Sequence, residues 1–216
     1  MSATNRGAKR READFYPTPD ELAERIVRAV GRYPNRILEP SAGDGAFVRA
    51  CRANCRHARV SQVEPGPHHF DPEVDGYRAT IEEFAARLPD ARFDLIIGNP
   101  PFSLAEEHVR LCIGMLAPGG RLVFLLRLAF LETKKRAKFW CECPPARITV
   151  LEDRPSFCWS WSCKAKHKWT SAPGVKHTHC PECGSEKLKI TKTDACAYAV
   201  FEWRQGFAGK PELGWI

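Results

Sequence analysis

The sequence predicts an α/β fold: a mostly parallel sheet with helices on both faces and a small basic insert late in the chain. Three observations carry this. Short apolar runs bounded by turn residues alternate with stretches whose apolar residues recur at helical spacing. Two of the runs end on an acid and one runs into Asn-Pro-Pro, and the first acid is followed closely by glycines. Open α/β sheets place ligands at such strand ends. Between the last two apolar runs lies a segment of different composition, rich in lysine and cysteine.

The chain has 216 residues, room for one main domain and a small appendage. Hydrophobic residues at 44% and charged residues at 27% exclude wholesale disorder. The longest strongly apolar stretch, Arg121 to Leu131, is broken by Arg127 and is too short to span a bilayer. The N-terminus is basic and lacks the apolar core of a secretory signal. The expectation is a cytoplasmic protein with no membrane partner.

Each element follows from local signals. Residues 1–13 read as a basic, mobile tail. Thr18, Pro19 and Glu21 predict a helix start with Thr18 as cap, continued by Leu22, Ile26, Val27 and Val30 on one face. Strands are expected at Arg36 to Glu39, Val60 to Glu64, Tyr77 to Thr80, Phe93 to Gly98, Arg121 to Leu126, Arg147 to Leu151 and Ala197 to Trp203, seven in all. Helices are expected at Ala46 to Ala53, Ile81 to Leu88, Leu104 to Leu116 and Lys134 to Trp140, with Pro118-Gly119-Gly120 closing the third. This divides the chain into a tail (1–13), a main domain (14–157 with 193–216) and an insert (158–192).

The net charge of +7 is localised. The insert carries Lys164, Lys166, Lys168, Lys176, Lys187, Lys189 and Lys192 against Glu182 and Glu186. The first twelve residues carry Arg6, Lys9, Arg10 and Arg11 against Glu12. Localised basicity points to a polyanionic partner; solubilising surface lysines are the plain alternative. Trp159, Trp161 and Trp169 lie among the insert lysines, a mixture suited to phosphate contact and base stacking.

Ten cysteines are many for a reducing compartment. Cys158-x4-Cys163 and Cys180-x2-Cys183 make two close pairs, the pattern of a tetrahedral structural zinc site. Such a short segment cannot fold on an apolar core alone, so a Zn2+ staple is physically motivated. His167, His177 and His179 compete as ligands, with His179 the expected substitute for Cys158. Cys51, Cys55, Cys112 and Cys196 read as small buried apolar residues. Cys141 and Cys143 form a poorer pair, left structural.

Three strand ends carry chemistry. In Leu38-Glu39-Pro40-Ser41-Ala42-Gly43-Asp44-Gly45 the two glycines let backbone approach a ligand. An acid precedes them and the third glycine of a pyrophosphate loop is missing, so Glu39 suits a cationic ligand better. Glu64, ending the next strand, can accept from two ribose hydroxyls. The third end is Asn99-Pro100-Pro101-Phe102. Phe15-Tyr16-Pro17-Thr18-Pro19, the Leu38 to Gly45 run and this tetrapeptide together strongly resemble the S-adenosylmethionine-dependent DNA N6-adenine methyltransferases, especially the small phage- and prophage-type enzymes. Arg154-Pro155-Ser156-Phe157 looks like a late element of the same family. The resemblance covers roughly residues 13 to 157 and resumes at the last strand.

The resemblance implies a class I methyltransferase (Rossmann-like) fold with a seven-stranded sheet, S-adenosyl-L-methionine as cofactor, and a DNA adenine, swung out of the duplex, as target. It implies a bacterial or phage-infected host cell as the setting. Tyr16 and Thr18 would line the methionine end, with Glu39, Ala42, Gly43, Gly45 and Asn99 beside it. Glu64 would hold the ribose, and Glu83-Phe84 fall where the family usually carries Asp-Phe near the cofactor's adenine.

Asn99, Pro100, Pro101 and Phe102 form the expected catalytic element. The adenine exocyclic amine is a poor nucleophile because its lone pair is delocalised. The Asn99 side-chain oxygen and the Pro100 carbonyl can accept its two N–H groups and favour a tetrahedral nitrogen. The paired prolines hold these acceptors in place beforehand, and Phe102 offers a stacking face. Phe157, Lys164, Lys166, Lys168 and Trp169 are the expected nucleic-acid contacts, the insert standing where larger relatives carry a target-recognition domain. The rivals are the same chemistry on RNA, glutamine methylation of protein (whose relatives generally show Tyr where this chain has Phe102), and a catalytically silent zinc nucleic-acid-binding module.

Overall fold

A computed structural model of the chain describes residues 17–31, 34–68, 70–155, 157, 159–171, 175–191 and 196–216. Tyr16 and Cys158, both expected at sites, lie outside them, as do the N-terminal tail and Ser156.

The strand–helix alternation is present. The main-domain strands are β1 (Arg36–Glu39), β2 (Arg59–Val63), β3 (Asp75–Tyr77), β4 (Phe93–Gly98), β5 (Leu116–Arg127) and β6 (Arg147–Val150). Three more, β7 (Trp159–Cys163), β8 (Lys168–Ser171) and β9 (Leu188–Thr191), lie in the insert, followed by β10 (Tyr198–Arg204) and β11 (Glu212–Trp215). The helices are α1 (Asp20–Val30), α2 (Ala46–Asn54), α3 (Ile81–Arg87), α4 (Ala105–Gly114) and α5 (Ala137–Glu142). None of the described helices is long and apolar enough to cross a membrane.

The main sheet has eight strands in the order β3-β2-β1-β4-β5-β10-β6-β11. All are parallel except β10, which runs antiparallel to both β5 and β6. Strand order reverses between β1 and β4, which pair through Ile37–Leu95 and Leu38–Ile96. Their carboxyl ends therefore flank a topological switch point, where such sheets bind ligands.

The central parallel strands β1, β2, β4 and β5 are largely buried, which is why they read as continuous apolar runs. One core packs Leu22, Ile26 and Val27 of α1 and Phe47, Val48 and Cys51 of α2 against Ile37, Leu95 and Val123. The other packs Phe84, Val109, Cys112 and Phe139 against Leu38, Ile96, Leu122 and Phe201. Cys51, Cys55 and Cys112 are buried thiols as expected, whereas Cys196 is only half-buried, in the loop before β10.

Four local expectations are corrected. The helix cap at Thr18 does not form: the cap position of α1 falls on Pro19, which has no capping side chain, and the Thr18 hydroxyl accepts from Asn99 instead. The third strand comes earlier than expected, ending at Tyr77. Pro118-Gly119-Gly120 does not break the chain but lies inside β5, where the register with β4 shifts between Phe93 and Leu95 and Gly119 takes φ +75°. The sheet has eight strands rather than seven, because the C-terminal segment adds β11 parallel to β6 at the edge. Its Leu213 and Trp215 are largely exposed, so no continuous apolar run marks it.

The insert is also strand-built. β7 pairs antiparallel with β8 and with β9 in a separate three-stranded sheet. Its strands are rich in Lys, Ser and Thr, and they escape a reading based on apolar runs.

Candidate active site

A cavity of about 570 Å³ opens at the switch point, within the size range of small-molecule and cofactor sites. Thr18, Glu39, Ala42, Gly43, Glu64 and Asn99, all expected from sequence, line it, together with Pro101.

Glu39 ends β1 with its side chain 2% exposed. Its Oε1 accepts the Ser41 N–H at 3.2 Å, while Oε2 is buried with no hydrogen-bond partner among the described residues. Burial pushes its carboxyl well above the ordinary value; the Ser41 N–H opposes this and the nearby Glu64 charge adds to it. The carboxylate fits beside β4 because residue 98 is glycine: a Cβ there would lie 2.8 Å from the Glu39 carboxyl carbon.

Glu64 organises the glycine turn. Its Oε2 accepts the Gly43 N–H at 2.8 Å and its Oε1 the Gly66 N–H at 2.7 Å. Each carboxylate oxygen keeps a further lone pair for a ligand hydroxyl. Gly43 takes φ +54°, and Gly45, at φ +82°, precedes α2. Gly45 is not a lining residue; it shapes the turn through its N–H to Ala42 O at 2.8 Å.

Asn99 follows β4 directly. Its Nδ2 donates to Thr18 Oγ1 at 3.1 Å, across 81 positions of sequence. That bond orients the amide and leaves Oδ1 as the acceptor end. Pro100 is buried and does not line the cavity. Phe102 lies outside the lining too, in an aromatic cluster beside it. Its ring is 5.8 Å from Tyr198 and carries the Arg127 guanidinium 4.6 Å above its centre.

Phe157 packs on the same Tyr198 at 4.9 Å and is only 1% exposed. It packs into the main core at the start of the insert. Glu83 and Phe84 stand apart from the cavity. Glu83 closes a capping box with Thr80, and Phe84 is buried against Tyr77 and Phe93. From this segment Thr80, Ile81 and Glu82 line the cavity instead.

Sequence reasoning missed four further contributors, Gly98, Ser103, Leu104 and His108. Gly98 stood next to the tetrapeptide, but its role needs Glu39 in space. Ser103 and Leu104 line the cavity immediately after Phe102. His108 lines it from α4, one helical turn after Leu104, whose carbonyl lies 3.1 Å from its Nδ1. Burial lowers the His108 imidazole below its ordinary value, against the opposing pull of the Glu82 charge. Its position four residues after Leu104 was the available signal.

In the insert, Cys163, Cys180 and Cys183 converge, and His167 joins them. Their ligand atoms all lie within 4.8 Å of one another. His179, the expected substitute, instead has Nδ1 3.0 Å from Thr178 Oγ1. Lys164, Lys166 and Lys168 are exposed along the β7–β8 turn. Trp169 is half-buried, stacked on Trp161 at 6.3 Å with His177 edge-on to both. Its ring thus packs within the insert.

Comparison with known proteins agrees with this architecture. No protein-family model matches the chain. Over 148 residues, 58% of this chain, it is 28% identical to the type II methyltransferase M.CvrRI of Paramecium bursaria Chlorella virus XZ-6E, covering 39% of that protein. Over 84 residues, 38% of this chain, it is 38% identical to the type II methyltransferase M.TthHB8I of Thermus thermophilus, covering 19% of it. A release factor glutamine methyltransferase of Geobacter sulfurreducens is 33% identical over 104 residues, 41% of this chain and 37% of its own length. The chain thus spans less than two-fifths of each of these relatives.

Among solved structures, a class I S-adenosylmethionine-dependent methyltransferase assignment from Listeria monocytogenes superposes with TM-score 0.57 at 14% identity, over 98% of this chain and 68% of that one. A predicted O-methyltransferase of Agrobacterium tumefaciens gives 0.53 at 19%, over 91% and 84%. The fold is that of the class I methyltransferases.

Proposed function

We propose that this chain, on its class I methyltransferase fold, is an S-adenosylmethionine-dependent enzyme that methylates the N6 amine of adenine in DNA. The observation that carries this reading is the Asn99 amide, held by Thr18 at the mouth of β4 beside a cavity lined by Glu39 and Glu64. The similarity to two type II methyltransferases supports a DNA substrate.

The residues present fit the cofactor. A buried carboxylate oxygen on Glu39, with no partner among the described residues, suits the charge of a cationic ligand. Gly43 and Ala42 line the cavity without a bulky side chain between backbone and ligand, and Glu64 keeps lone pairs for a ribose diol. Thr18 and Tyr16 complete this reading of the methionine end. Bound S-adenosylmethionine supplies a methyl group on a sulfonium, electrophilic enough for an aromatic amine.

The protein's work is orientation. Asn99 Oδ1 and the Pro100 carbonyl accept the two N–H groups of the amine, so the nitrogen becomes tetrahedral and its lone pair leaves conjugation with the ring. The same two acceptors stabilise the nitrogen as it becomes cationic, and its proton is lost afterwards. No strong base is required beside Asn99. The prolines and the Thr18 bond set this geometry before substrate arrives. Phe102, outside the cavity lining and with the Arg127 cation on its ring, backs the Asn-Pro-Pro turn from the aromatic cluster beside the site.

In this reading residues 14–157 and 193–216 form the methyltransferase domain. Residues 158–192 form a Zn2+-stabilised insert whose lysines contact nucleic-acid phosphates, and the protein works in the cytoplasm. The test is expression in bacteria lacking their own methylation. Nucleosides from total DNA and total RNA are then measured by mass spectrometry, with Asn99→Ala as control. N6-methyladenine in DNA, lost in the variant, is expected. The mark in RNA alone moves the substrate to RNA, and its absence from both overturns the reading.

A further inference from the structure

We propose that the insert's metal site is three thiolates and one imidazole, Cys163, His167, Cys180 and Cys183 around one Zn2+, with His167 rather than Cys158 as the fourth ligand. The proposal deepens the zinc reading of the insert and rests on it.

The spacing of the ligand atoms carries it. Zinc binds thiolate sulfur at about 2.3 Å and imidazole nitrogen at about 2.0–2.1 Å in a tetrahedron. That geometry separates two sulfurs by about 3.8 Å, and a sulfur from a nitrogen by about 3.6 Å. Cys163 Sγ lies 3.7 Å from Cys183 Sγ, and Cys180 Sγ lies 3.6 Å from His167 Nδ1. A disulfide would need sulfurs at about 2.05 Å, so the thiols stand at metal-sharing and not at bonding distance.

Two tight turns present the four groups in pairs. In the first, Lys166 N–H donates to Cys163 O at 3.0 Å and Cys163 N–H to His167 O at 3.2 Å. Lys166 takes φ +65°, an uncommon conformation for a residue with a side chain. It brings His167 back beside Cys163. In the second, Gly184 N–H donates to Cys180 O and Cys180 N–H to Ser185 O, both at 2.9 Å, with Gly184 at φ +68°. The Cys163 turn joins β7 to β8, and the Cys180 turn lies in the connection to β9. A shared ion therefore closes the small sheet at one end.

An outer partner fits as well. His167 Nε2 lies 3.7 Å from Glu182 Oε2. A ligating imidazole commonly directs its second nitrogen at a carboxylate, which fixes the ring. Four protein donors fill a tetrahedron, so the site is closed and structural, with no coordination place for a reacting water.

The test compares wild type with Cys158→Ser, His167→Gln and His167→Cys in the full chain. Metal content is read by native mass spectrometry, and the site by the thiolate-to-metal absorption of the Co2+-substituted protein. One metal per chain is expected in wild type, with absorption of three thiolates. Cys158→Ser should keep both unchanged. His167→Gln should weaken metal binding at least tenfold, and His167→Cys should restore it with the absorption of a fourth thiolate. Metal loss in Cys158→Ser, or an unaltered site in His167→Gln, overturns the ligand set while leaving zinc in place. A wild type that binds no metal overturns the zinc reading itself.

Discussion

The carboxylate of Glu39 occupies the space that a side chain on Gly98 would fill, with the hypothetical Cβ 2.8 Å from its carboxyl carbon. The two residues end neighbouring strands on either side of the switch point. Glycine at 98 is therefore a requirement of the buried acid across the sheet. Gly98→Ala is expected to displace Glu39, destabilising the fold by about 1–3 kcal/mol as overpacking does. S-adenosylmethionine binding should weaken more than stability falls. Thermal unfolding and calorimetric titration of the same variant read the two effects separately.

Glu39 should also make the protein pH-sensitive. Burial raises its carboxyl well above the ordinary 4.5. Between that value and its folded-state value, the folded protein holds the proton that the unfolded chain has released. Stability from this group is thus present at low pH and is lost as pH rises through that interval. Glu39→Gln should remove this slope in denaturant titrations repeated across pH. A cationic ligand favours the ionised form, so cofactor binding in the wild type should release a proton and tighten as pH rises. Titrations in buffers of different ionisation enthalpy detect that proton.

Thr18→Val keeps the volume and removes the hydroxyl that receives the Asn99 amide at 3.1 Å. Loss of one hydrogen bond is worth about 1 kcal/mol, or roughly fivefold in rate when it is lost from the transition state. Single-turnover methylation should slow by about that factor, with kcat falling more than KM rises. An unchanged rate would show that Asn99 is oriented without Thr18.

The exposed insert lysines are expected to act through charge. Replacing Lys164, Lys166 and Lys168 together by alanine should weaken binding to unrelated DNA sequences alike. The slope of log affinity against log salt should fall by up to about 0.9 for each phosphate that the variant no longer neutralises. Deleting residues 159–190 with a short linker should remove the same component and leave cofactor affinity intact. Unchanged DNA affinity and sequence preference after the deletion would limit the insert to a stabilising flap.

Much of the site was legible because its parts are strand ends. Glu39, Glu64 and Asn99 each follow an apolar run, and helical spacing accounts for the intervening helices. Helix-start chemistry misplaced Thr18: its hydroxyl suits a cap equally well, and only the approach of Asn99 from a distant strand decides its partner. Similarly, an acid-aromatic pair in α3 suggested proximity to the cofactor, yet helix phase turns Phe84 into the core and leaves Glu82 at the cavity. In the insert, spacing identified Cys163, Cys180 and Cys183 as candidate ligands. Among the three histidines adjacency to Cys180 favoured His179, and only the turn at Lys166 sets His167 beside Cys180 instead.

Composition and periodicity alone determined an α/β sheet with buried parallel strands, a basic insert, and an Asn-Pro-Pro-Phe element at a strand end. They could do so because burial on both faces writes itself as uninterrupted apolar sequence, and because proline and glycine constrain backbone locally. Which side chains meet was decided only in three dimensions: Glu39 over Gly98, Thr18 on Asn99, Phe157 against Tyr198, His167 among the cysteines. Those pairings join residues far apart along the chain or depend on the hand of a single turn, and neither leaves a local trace in the order of amino acids.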